Sequence, residues 1–190
     1  MVDDAHALGV IGEGGRGTAS HFGLEDEVDI YMGTFSKSLA SLGGYMAASA
    51  RVCDYVRCNS RPYIFSASVP PSAIAAANAS LRRLIACPEL VERLQYIGGY
   101  MRRRLHEKRI AIRDAETPII PIYTYDPIVT LRAQRELYER GVYVNATLPP
   151  ACAPGECLLR CTLMATHTEA LVDEAVDIIA DVLGRNMHHE

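Results

Sequence analysis

The apolar positions of this chain come in short blocks whose period changes along its length. Val28 to Met32 is a compact apolar run ending at Gly33, which predicts a short buried strand. Met1-Val2 reads as the last residues of another strand, and Tyr45 to Ala48, behind the Gly43-Gly44 break, as a third. A glycine-rich loop from Gly9 to Gly17 separates the first two. Arg51 to Asn59 has helical spacing, with Val52, Tyr55 and Val56 on one face, and Tyr63 to Phe65 is strand-like. Pro70-Pro71-Ser72 opens a long helix, because proline is tolerated in a first turn, and Pro88 stops or kinks it. The helical period resumes from Glu89 to Lys108 through Leu90, Leu94, Ile97, Met101 and Leu105.

The remainder predicts a smaller unit. Pro118 to Tyr125 is a strand, and Val129 to Arg140 a helix with Leu131 and Leu137 as apolar contacts and Gly141 as its stop. Val142 to Val144 is strand-like, and Leu158 to Leu163 is a strand. Thr168 is the N-cap of a helix to Leu183, with Leu171, Ala175, Ile178, Ile179 and Val182 on its buried side. Strands alternating with helices argue an α/β class with a mixed sheet. The boundary is placed near Arg109 to Thr117, giving parts 1–110 and 111–190.

Composition narrows the class of function. With 49% hydrophobic residues in 190, the chain can bury a core. A net charge of -4 without a basic stripe argues against nucleic acid. No apolar run reaches the roughly 18 residues needed for a membrane span, and Asp3-Asp4 replaces the basic start of a signal peptide, so a cytoplasmic protein is expected. Cys152, Cys157, Cys161 and His167 fit no common zinc spacing. No metal is expected, and the six cysteines read as buried, reduced thiols.

Only Lys37 and Lys108 are lysines. A lone lysine is usually a solvated charge. Lys37, however, lies among Gly33, Thr34, Ser36, Ser38 and Gly43-Gly44, small and hydroxylic neighbours that suit a phosphate and a closely approaching cofactor. A lysine amine becomes nucleophilic when desolvated, which imine formation needs. Upstream, Asp3 and His6 are three residues apart. Each has an ordinary structural use, as a cap or a turn residue. Together they could grip a heteroaromatic ring, the carboxylate on a protonated pyridine nitrogen and the imidazole near a ring hydroxyl. The set points to pyridoxal 5'-phosphate (PLP) chemistry. Gly12-Glu13-Gly14-Gly15-Arg16-Gly17 matches G-x-G-x-x-G, but no strand leads straight in and no clean βαβ unit follows. A tight loop beneath the active-site strand is the better assignment. Arg160, in an apolar strand, is either one half of a buried ion pair or a bidentate carboxylate clamp.

VDDAHALGVIGEGGRG, DIYMGTFSKSLASLGGY, RPYIFSASVPPS and LLRCTLMATHT, in this order over nearly the whole chain, resemble the α-oxoamine synthases. These are fold-type-I PLP enzymes that include 8-amino-7-oxononanoate synthase, 2-amino-3-ketobutyrate CoA ligase, 5-aminolevulinate synthase and serine palmitoyltransferase. RPYIFSAS and the YVN, PPA and LLRC stretches look closest to the first and last of these. The resemblance implies a partial PLP-binding large domain followed by a small carboxy-terminal α/β domain. It implies catalytic roles for Lys37, which holds PLP as an internal aldimine, and for His6 beside the ring hydroxyl. It places Asp3 on the pyridine nitrogen and Thr34 on the phosphate. It gives Ser66 to the phosphate of a neighbouring subunit's cofactor, hence a homodimer, and Arg160 to the substrate carboxylate. The implied reaction condenses an amino acid (alanine, serine or glycine) with an acyl-CoA, in most members with loss of CO2. A PLP-dependent class I/II aminotransferase would use the same lysine without acyl-CoA. A non-catalytic piece that folds or dimerises without PLP is the rival of another kind.

Family members are roughly twice this length. The chain is therefore expected to be a carboxy-terminal portion, Met1 an internal methionine, and the chain alone poorly soluble, weak in PLP binding and inactive.

Overall fold

A computed structural model describes residues 1–186, which divide into two compact units, the first over 1–92 and the second from Arg93 onward.

The first unit is built on a three-stranded mixed sheet. Strand β1 (Val2–Asp3) pairs in parallel with β2 (Ile30–Thr34), and β2 pairs antiparallel with β3 (Gly44–Ala48), in the order β1-β2-β3. Gly33 does not end β2, as the apolar run suggested; the strand continues to Thr34 opposite Gly44. The Tyr45 ring lies directly over Gly33, where any β-carbon would strike it. Helix α1 (Thr18–Phe22) follows the glycine loop, α2 (Ala50–Asn59) follows β3, and α3 (Arg61–Ile64) and α4 (Pro71–Ala86) complete the unit. Ser49 caps α2, its hydroxyl accepting from the Val52 amide at 3.4 Å.

Two expectations change here. Tyr63 and Ile64 belong to the short helix α3, not a strand; Pro62 sits in its first turn, and Phe65 follows it as the cap. Tyr63, Ile64 and Phe65 are all exposed. Tyr55 is exposed as well, while Val52, Cys53 and Val56 carry the inner side of α2.

The second unit is a three-stranded antiparallel sheet, β4 (Ile119–Tyr125), β6 (Cys157–Thr162) and β5 (Asn145–Thr147), in the order β4-β6-β5. Helix α6 (Pro127–Glu139) packs on all three strands and on α7 (Glu169–Asn186). Asp126 caps α6 by accepting from the amides of Ile128 and Val129 at 2.8 and 2.9 Å. Helix α5 (Glu89–Glu107) buries the expected Leu94, Ile97, Met101 and Leu105. Its outer face runs in register with α7: Tyr96 donates to Glu169, Tyr100 to Asp173, and Arg104 and Lys108 pair with Asp173 and Asp177. Both series advance by one helical turn at a time, so the ladder fixes the parallel register of the two helices.

The buried stripes of α6 and α7 keep the expected Leu137, Ile179 and Val182 but leave out Leu131 and Leu171. On α6, Thr130, Ala133 and Leu137 are buried and Leu131 is exposed. Thr130 can be buried because its hydroxyl donates to Asp126 O and meets the Thr124 hydroxyl, each at 2.6 Å. On α7, Val172, Val176, Ile179, Val182 and Leu183 are buried while Leu171 is exposed. Leu171 and Val172 are adjacent and both apolar, so hydropathy did not say which of them faces inward. Val142 to Val144 is not a strand. Val142 donates to Leu137 O at 2.8 Å, closing the end of α6 around Gly141, and pairing starts only at Asn145.

The cysteines are not uniformly buried. Cys157 and Cys161 are, Cys58 is exposed, and all six are free. Burial pushes the Cys161 thiol up to about 11. A buried thiol resists ionisation that the unfolded chain allows near pH 9, so its contribution is complete below that pH and is lost as pH rises through about 11. Wild-type stability should fall by up to about 3 kcal/mol more than that of Cys161→Val across this interval. Denaturant titrations at several pH values test this; parallel curves for the two proteins would refute it.

Candidate active site

The first unit gathers Asp3, His6, Thr34 and Lys37 around the sheet. Residues paired across a ladder point to the same face. Asp3, Met32 and Met46 therefore form one row across the three strands, and Thr34 and Gly44 form the next row on that face. Asp3 ends β1 and is exposed, its Oδ1 accepting from the Ala5 amide at 2.9 Å. This Asx turn carries the chain into His6, also exposed.

Thr34 ends β2 and organises the β2–β3 loop. Its Oγ1 donates to Gly43 O at 3.1 Å, lies 2.7 Å from Ser36 Oγ and accepts from the Ser36 amide at 3.2 Å. The Phe35 amide donates to Gly43 O, and Ser41 donates from its amide to Phe35 O and from its hydroxyl to Ala73 O at 2.6 Å. Lys37 sits on this braced loop. Its carbonyl accepts from Ala40, whose φ of 48° is left-handed, while Leu39 beneath is buried. Lys37 is exposed and, among the described residues, pairs with no carboxylate, whereas Lys108 is held by Asp177 at 2.6 Å. No ion pair among the described residues holds this amine away from an incoming aldehyde.

The Gly12 to Gly17 stretch forms a tight loop and not a phosphate cradle leading into a βαβ unit. Gly12, Gly14, Gly15 and Gly17 all have positive φ, and the chain doubles back so that the Gly9 amide donates to Gly15 O at 2.7 Å. Gly9 lies against Ser38: a β-carbon there would stand 2.7 Å from Ser38 Cβ. The aspartate–histidine segment and the lysine loop are thus in direct contact at Gly9 and Ser38. Sequence reasoning passed over the role of Asp4 and the Gly9–Ser38 contact; only the clustering of glycines and hydroxyls hinted at the contact.

Ser66 lies in the exposed segment after α3, within the same unit, and the structure does not tie it to the lysine loop. Arg160 belongs to the second unit, at the middle of β6, opposite Pro121 on β4 and Asn145 on β5. Its Nε is buried and has no hydrogen-bond partner, and among the described residues no carboxylate pairs with it. The buried ion pair, one of its two sequence-based alternatives, is absent among the described residues. Among the described residues no group of three or more His, Cys, Asp or Glu could hold a metal ion. No helix among them is long and apolar enough to cross a membrane.

The donor set fits PLP. A carboxylate at the end of β1, hydroxyls at the end of β2 and an uncommitted amine on the loop that follows β2 are what a pyridine nitrogen, a phosphate and an aldehyde would meet.

Residues 1–179 match the family profile described as aminotransferase class I and II. Serine palmitoyltransferase of Bacteroides thetaiotaomicron is 48% identical over 177 residues, covering 93% of this chain and 45% of that protein. 8-Amino-7-oxononanoate synthase 1 of Bacillus subtilis is 41% identical over 179 residues, covering 94% and 46%. The solved serine palmitoyltransferase of Sphingomonas wittichii superposes with a TM-score of 0.92 at 32% identity, covering 98% of this chain and 47% of that one. A structure of SPT with the PLP internal aldimine gives the same TM-score at 33% identity. The chain spans about half the length of the relatives it matches.

Proposed function

The chain belongs to the aminotransferase class I and II family, and on that basis we propose that it supplies the cofactor lysine and the carboxylate-binding arginine of a PLP-dependent α-oxoamine synthase. That enzyme joins an amino acid to an acyl-CoA, with loss of CO2, in the manner of 8-amino-7-oxononanoate synthase or serine palmitoyltransferase. The observation that carries this is the placement of Asp3 and Thr34 in adjacent rows on one sheet face, leading into a braced loop whose lysine has no ion-pair partner among the described residues. The names of the relatives support the acyltransferase over an aminotransferase.

PLP, when bound, withdraws electrons from the amino-acid α-carbon. The chain's residues would serve that chemistry in distinct ways. Lys37 would hold the cofactor covalently and, once displaced by the amino acid, take the α-proton at Nζ. Asp3 would keep the pyridine nitrogen protonated, and His6 would orient the ring hydroxyl. Thr34 would bind the phosphate. Ser66, on a fully exposed segment beside Phe65, would reach a neighbouring subunit's cofactor in a homodimer. Arg160 would receive the substrate carboxylate. Residues 1–110, long helix included, would form the cofactor-binding part and 111–190 the small domain, in a cytoplasmic enzyme.

The test is exchange of the α-proton of alanine, serine and glycine into deuterium oxide by the whole PLP-loaded protein that contains this chain, followed by NMR. Asp3→Asn should still bind PLP yet exchange about 10²-fold more slowly, because the amide cannot hold the pyridinium proton. Exchange at the wild-type rate in Asp3→Asn, or none of the three amino acids exchanging in the wild type, would overturn this assignment.

A further inference from the structure

Asp3 and Asp4 are neighbours with opposite surroundings. Asp3 is exposed, whereas Asp4 is 2% exposed. Burying a carboxylate is costly unless it is hydrogen-bonded, so its retention asks for a use.

Every polar group of Asp4 is a fastening point. Its amide donates to Met32 O at 2.8 Å, extending the β1–β2 pairing by one residue. Its carbonyl accepts from the amides of Ala7 and Leu8 at 3.0 and 3.1 Å, closing the turn that carries His6. Its Oδ1 accepts from the Thr18 amide at 3.1 Å, fourteen residues along the chain. Gly17 makes this last bond possible, since a β-carbon there would fall onto the Asp4 carboxylate. The segment between is therefore a closed loop, tied inside by the Gly9–Gly15 and Gly17–Ile11 backbone bonds. Its apex at Gly9 presses on Ser38, the residue after Lys37.

We propose that Asp4 is a positioning residue for Lys37: its carboxylate clips Thr18, the clip holds the glycine loop closed, and the loop supports the lysine-bearing turn through the Gly9–Ser38 contact. The proposal rests on the assignment of Lys37 as the cofactor-bearing amine. Asp4 itself touches no reacting atom in this scheme.

The test compares the two lysines of the chain within one protein. The protein is exposed briefly to PLP, reduced with borohydride and mapped by mass spectrometry, and the Lys37 to Lys108 labelling ratio is read. Trapping needs no stable complex. Lys108, ion-paired with Asp177, is the internal reference. The wild type should label Lys37 in preference. Asp4→Ala should lower the ratio about tenfold, while Asp4→Asn, whose amide oxygen still accepts the Thr18 N–H, should stay within about threefold. Where Asp4→Ala does not fold, Thr18→Pro decides: it removes the donor at a first helical position that tolerates proline, and it should lower the ratio similarly. A folded Asp4→Ala or Thr18→Pro with the wild-type ratio, even with a lowered melting temperature, overturns the positioning role and leaves Lys37 standing. A wild-type protein that labels both lysines alike overturns the Lys37 assignment itself.

Discussion

Lys37→Ala should lower turnover of the PLP-loaded enzyme containing this chain by about 10⁴-fold or more, and Lys37→Arg should do no better. In the proposed function one amine would both hold the cofactor and move the α-proton, so both would be lost together. Arginine keeps the positive charge but stays protonated and forms no imine, which separates covalent chemistry from electrostatics. No lysine elsewhere in the chain stands ready to replace it. Lys108 is the only other one, and it is engaged by Asp177 on the α5–α7 ladder of the second unit. The fold should survive the change, because Lys37 is exposed and its loop is held by Thr34, Phe35, Ser41 and Gly43. Product formation, measured alongside circular dichroism, checks this. Normal turnover in a folded Lys37→Ala would remove the family chemistry from this chain.

Long, strongly periodic elements were legible in the sequence. α4, α5 and β4 stand where proline placement and apolar spacing put them, because proline geometry is local and the stripes on α5 and β4 are unambiguous. Legibility failed where a local pattern competed with tertiary demand. Tyr63 and Ile64 are good strand formers, yet Pro62 starts a helical turn and no strand is there to pair with them. Leu131 gave way to Thr130 because two threonine hydroxyls satisfy one another inside, an arrangement no hydropathy pattern reveals. The lysine loop was readable as a cluster of small and hydroxylic residues. Its bracing was not, since Ser41 reaches Ala73 O, 32 residues away, and Gly9 meets Ser38 across the fold. Asp4 went unnoticed for the same reason. In sequence it duplicates Asp3; only the fold exposes one carboxylate and buries the other.

Arg160 combines both kinds of information, and its replacement should separate function from stability. A guanidinium whose buried Nε has no hydrogen-bond partner among the described residues bears a desolvation cost at that atom. Arg160→Met keeps most of the stem and removes that cost, so stability should be unchanged or higher by about 1 kcal/mol. The same change should weaken amino-acid binding by about 10²-fold, because the planar fork that would receive the carboxylate is gone. Arg160→Lys, which retains a point charge, should fall between. The apparent affinity for acyl-CoA should hardly change in either variant. Denaturant melts and steady-state kinetics with each substrate varied in turn provide the two measurements. A destabilised Arg160→Met that weakens both substrates alike would show that the arginine supports the sheet. A stable variant that loses the amino acid alone would mark it as a residue kept for its ligand at a cost to the fold.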